Sequence, residues 1–71
     1  MNNILETYAR DWLKINLAVL PKSSHEMFKR MYADGNMELD INIVVDKMPQ
    51  KRLDWAMVQV QNSLVRLAKE R

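Results

Sequence analysis

The chain has 71 residues, 48% of them hydrophobic and 28% charged, with a net charge of +2 and no cysteine. So short a chain builds one core, read here as a single helical domain over 1–71, and without thiols it has neither disulfides nor thiolate metal sites to reinforce it. No apolar run approaches the length of a membrane span, and the first residues do not read as a secretory leader. The expected location is therefore the cytoplasm, with no membrane partner.

The first element carries Ile4, Leu5, Tyr8, Trp12, Ile15 and Val19 on one broad stripe at helical spacing. That spacing predicts a helix over 3–20 with the stripe, Trp12 included, facing the core. Leu13, Leu17 and Leu20 form a second apolar row on the same helix. Pro21 ends it, because the residue before a proline is pushed out of the α region.

Ser23-Ser24-His25-Glu26 fits a capping box, with Ser23 accepting from the third amide and Glu26 reaching back. A short helix over 24–33 follows, with Met27, Phe28, Met31 and Tyr32 on its apolar side. Asp34-Gly35-Asn36 stops it, Gly35 supplying the positive φ of a C-terminal cap.

From Met37 to Met48 two patterns overlap. Met37, Leu39, Ile41 and Ile43 alternate as a strand would, whereas Ile41, Val44, Val45 and Met48 recur at helical spacing behind Asp40, a good N-cap. A strand needs a partner and no other segment alternates, so a helix over 40–48 is preferred. Pro49 then sets the entry to a last helix over 50–69. The expected fold is an all-α, compact four-helix domain, its two long outer helices packed together and its two short ones bridging them.

That last helix is apolar on two opposite faces. Leu53, Ala56, Met57, Val60, Leu64, Leu67 and Ala68 make one stripe; Trp55, Val58 and Val65 lie opposite, among Arg52, Asp54, Gln59, Gln61 and Arg66. One face joins the core; the second, headed by tryptophan, either packs on the second row of the first helix and closes the chain's own core or forms a contact patch with a basic rim. The expected partner-binding residues are Trp55, Val58, Val65, Arg52 and Arg66, with Leu13 and Leu17 of the first helix beside them. The partner is another protein, a second copy of the chain in a homodimer, or both.

Chemistry is scarce. His25 is the single histidine, and Ser23 and Ser24 are better explained as caps than as nucleophiles, so no catalytic residue is expected. No cofactor is expected either, since one glycine cannot build a phosphate-cradling loop. Asp34, Asn36, Glu38 and Asp40 alternate like calcium ligands but lack the glycine and glutamate positions of that loop, so no metal site is assigned. Met27, Met31, Met48 and Met57 sit at core positions of helices, where a thioether fills irregular gaps.

DNA binding is the alternative reading. The second helix, its turn and the 40–48 helix have helix–turn–helix proportions, but the presumptive recognition helix offers Asn42, Asp46 and Lys47 behind Glu38 and Asp40, and carboxylates repel phosphates. A dimer would instead have to align Lys51, Arg52, Arg66, Lys69 and Arg71. Arg66, Lys69 and Arg71 also suit a helix C-terminus, where cations are favoured.

Ser24-His25-Glu26-Met27-Phe28-Lys29-Arg30-Met31-Tyr32, Val45-Asp46-Lys47-Met48-Pro49 and Leu53-Asp54-Trp55-Ala56 together resemble small uncharacterised proteins encoded by bacteriophages and prophages. The resemblance covers about the last two-thirds of the chain. It implies an intracellular phage accessory protein in a bacterial host and transfers no catalytic or binding residue.

Overall fold

The computed structural model describes residues 4–70. The protein is all-α, built from α1 (Ile4–Leu17), α2 (Lys22–Tyr32), α3 (Ile41–Lys47) and α4 (Gln50–Lys69), with no strand among the described residues. The expected start of the first helix at Asn3 lies outside them. The segment that could have been a strand is a turn leading into α3, whose N-cap is Asp40: its Oδ1 accepts the Asn42 amide at 2.9 Å.

The capping box before α2 is not formed. Pro21, fixed at φ −71°, takes the N-cap position, and the Ser24 and His25 amides both donate to its carbonyl. The helix therefore begins at Lys22, one residue before Ser23 could cap it. At its other end Asp34 (φ 52°) and Gly35 (φ 79°) turn the chain left-handed, and the Ala33 and Gly35 amides both donate to the Lys29 carbonyl.

Trp12 and Met57–Asn62 line one depression, and Pro21 and Ser63–Glu70 residues line another, so α1 and α4 run side by side in the same direction. α2 descends along α4, its start near Arg66 and its end near Arg52. α3 crosses at the bottom and returns the chain to the start of α4.

The core contains Ala9, Leu13, Leu17 and Leu20 from α1 and the turn after it, Phe28 from α2, Val44, Val45 and Met48 from α3 and its end, and Leu53, Ala56 and Val60 from α4. This corrects the orientation of α1. Leu13 and Leu17, expected beside the partner-binding patch, are fully buried, while Leu5 is 84% and Ile15 67% exposed. Ile4, Tyr8 and Val19 are exposed too, and Trp12 is only half-buried against the core.

The cause lies in the polar residues flanking the inner row. Arg10 Nη1 donates to the Val45 carbonyl at 2.6 Å and to the Asp46 carbonyl at 3.2 Å, and its guanidinium also pairs with Glu6. Lys14 Nζ meets Asp46 Oδ1 at 2.6 Å. The Arg10 guanidinium at the C-terminal carbonyls of α3 satisfies groups its short helix leaves open, and both cations complement its dipole. With Arg10 and Lys14 so held, the row Ala9–Leu13–Leu17 turns inward and the broader stripe turns out. In α2, Met27 and Met31 are likewise exposed, whereas Met48 is buried and Met57 packs against the core, as expected.

Candidate protein-binding surface

α4 is placed by its inner stripe. Leu53, Ala56 and Val60 are buried and Met57, Leu64 and Leu67 pack partly against them, although Ala68 at the tip is exposed. Once that face is fixed, the 100° step per residue turns Trp55, Val58 and Val65 outward. They are 68%, 56% and 44% exposed, and Arg52 and Arg66 are exposed as well. Five of the seven expected contact residues thus lie at the surface; Leu13 and Leu17 do not.

Trp55 stands between two shallow depressions. On one side Tyr32, Lys51, Arg52 and Trp55 line an open hollow of about 370 Å³. On the other, Asp54, Trp55 and Val58 line one of about 250 Å³. Val58 also edges a third, of about 380 Å³, with Trp12, Met57, Gln61 and Asn62. The apolar surface is therefore continuous from Tyr32 across Trp55 and Val58 to Trp12, with Arg52 and Lys51 at one margin.

Tyr32, unforeseen as part of this surface, is held there by Phe28, its ring centroid 4.7 Å away at a 46° tilt. Burial pushes the Tyr32 phenol above its ordinary 10, and the positive charge of Arg52 pulls part of the way back. The spacing of Phe28 and Tyr32 showed a helical pair; their reach to α4 depends on a tertiary contact that no local pattern carries.

The basic residues do not gather. Lys51 and Arg52 begin α4, while Arg66 and Lys69 end it. Arg52 and Arg66 are fourteen positions apart on the helix, about 21 Å at 1.5 Å per residue. Arg71 lies outside the described residues. In the helix–turn–helix candidate, Asp46 is paired with Lys14, and Val44 and Val45 face the core.

His25 Nε2 donates to the Leu17 carbonyl, closing the end of α1. Asn36 Oδ1 accepts the Glu38 amide at 3.2 Å and Asp40 caps α3, so two of the calcium-like residues serve local turns. Among the described residues, no group of three or more metal-ligating side chains could hold an ion, and no helix is long and apolar enough to cross a membrane. Compared with protein-family models, with curated proteins and with solved structures, the chain matches none of them.

Proposed function

We propose that this protein is a non-enzymatic interaction module that binds another protein through the outer face of α4. The observation that carries the reading is Trp55: a tryptophan two-thirds exposed, between hollows, with Val58 on one side and Arg52 on the other. Tryptophan and arginine are the residues most enriched where binding energy concentrates, because a large ring removes much apolar area from water at little rotamer cost. Val65 extends the patch and Arg66 gives it a second basic margin. The resemblance to phage-encoded proteins supports a role as an accessory protein in the bacterial cytoplasm, acting on a host or phage protein.

The test pairs wild type with a Trp55→Ala, Val58→Ser double variant, checked for helix content by circular dichroism and then used to capture proteins from bacterial lysate. The reading predicts a folded variant that no longer retains the protein wild type retains. Unfolding of the variant would make the patch structural and overturn the reading. Binding to a DNA duplex that survives the double substitution and falls steeply with salt would replace it with the nucleic-acid alternative.

A further inference from the structure

The outer face of α1 carries a further apolar row, which meets the α4 patch at Trp12 and is longer and less interrupted than it. Leu5, Tyr8, Trp12, Ile15 and Val19 are separated by three, four, three and four residues. This is the a/d repeat of a helix that packs lengthwise on another helix. Inside the monomer, α1 already buries its inner row on α3 and α4; the a/d row is turned outward, with Trp12 alone half-buried. The turn after α1 continues the row: the Ala18, Val19 and Leu20 amides donate back to Lys14, Asn16 and Leu17, which keeps Val19 in line.

We infer that this row is the contact between two copies of the chain, paired α1 to α1 about a two-fold axis. Area supports a second copy. The five side chains expose on the order of 600 Å² per chain, so a symmetric pair that covered all of it would remove about 1,200 Å² from water, the lower end for stable protein interfaces. Charge supports it as well. The positions flanking the row are Ala9, Asp11, Asn16 and Ala18, whereas the cations of α1 are turned to α3, Arg10 on the Val45 carbonyl and Lys14 on Asp46. Flanking charges are what select a different helix over a copy of the same one, and here Asp11 is the lone charge among them. Size is a third reason: a helical unit of this length without disulfides gains most from covering such a face.

Sedimentation equilibrium of wild type and two variants, Ile15→Lys and the pair Tyr8→Gln with Ile15→Gln, tests this. Wild type should have twice the 8.4 kDa mass of the chain. A charge in an apolar contact should weaken pairing by roughly 100-fold or more, leaving a monomer with unchanged helix content. Trp55→Ala, at hollows that Trp12 does not line, should remain a dimer, which separates failure of the pairing from failure of the α4 reading. Wild type that stays at 8.4 kDa up to millimolar concentration overturns the inference. So does a dimer that persists in Ile15→Lys, or one lost only in the Trp55 variant. Unfolding of both row variants overturns it too, because the row would then belong to the monomer's own core.

Discussion

Arg10 donates to the Val45 carbonyl oxygen at 2.6 Å, joining residues thirty-five positions apart and fixing which side of α1 faces inward. The same guanidinium reaches Asp46 and Glu6, so one half-buried side chain holds the C-terminus of α3 against α1.

Replacing Arg10 with methionine keeps the apolar stem and removes the donors. A carbonyl left without its charged partner costs about 1–3 kcal/mol. Urea unfolding followed by circular dichroism should show a loss of that size, and Glu6→Gln should lose less, because the amide oxygen can still accept from Arg10.

The inner row of α1 and the outer face of α4 can be told apart by truncation. Leu13→Ala should destabilise the protein by about 2–5 kcal/mol, since a fully buried leucine leaves a cavity. Val65→Ala, on the exposed side of α4, should stay within about 0.5 kcal/mol of wild type. Equal losses would contradict the orientation of both helices.

That orientation is where the sequence misled. The limits of α4 could be read from Pro49 and a long 3.6-residue periodicity, and Asp40 announced α3, because both signals are local. For α1, periodicity found two apolar rows, and the broader stripe of Ile4, Tyr8 and Ile15 was preferred to the row of Leu13, Leu17 and Leu20 as the core face. What decides between them is where Arg10 and Lys14 find partners, on a helix thirty residues away. Ser23 failed as a cap for a nearer reason: Pro21 had already taken the position. The α4 patch was legible since an inner stripe of seven residues leaves Trp55, Val58 and Val65 one way to point. Tyr32 was not, because it reaches that patch from another helix.

Gly35 sits at φ 79°, and a methyl group there would meet nothing within 4 Å. The whole effect of Gly35→Ala is therefore backbone strain, about 1 kcal/mol of lost stability. Gly35→Asn should lose less, since asparagine tolerates the left-handed region. Thermal unfolding of the two variants side by side checks the order.

Tyr32 gives a pH signature. Its raised phenol pKa means that the unfolded chain ionises first as pH climbs through 10, so its contribution to stability is full below that value. It is lost between 10 and the higher native value. In a Tyr8→Phe background, absorbance of the phenolate should appear above pH 10, and adding Arg52→Gln should push it higher still, because the positive charge that favours the phenolate is gone.

The outer face of α4 is tested most directly by the fluorescence of a Trp12→Phe variant, in which Trp55 is the sole tryptophan. Trp55 should emit like indole in water and be quenched by iodide nearly as readily as the free amino acid, at every protein concentration in which the chain is folded. A blue-shifted emission shielded from iodide in the folded chain would mean that Trp55 is covered by the protein's own structure, and the face proposed to bind a partner would not exist.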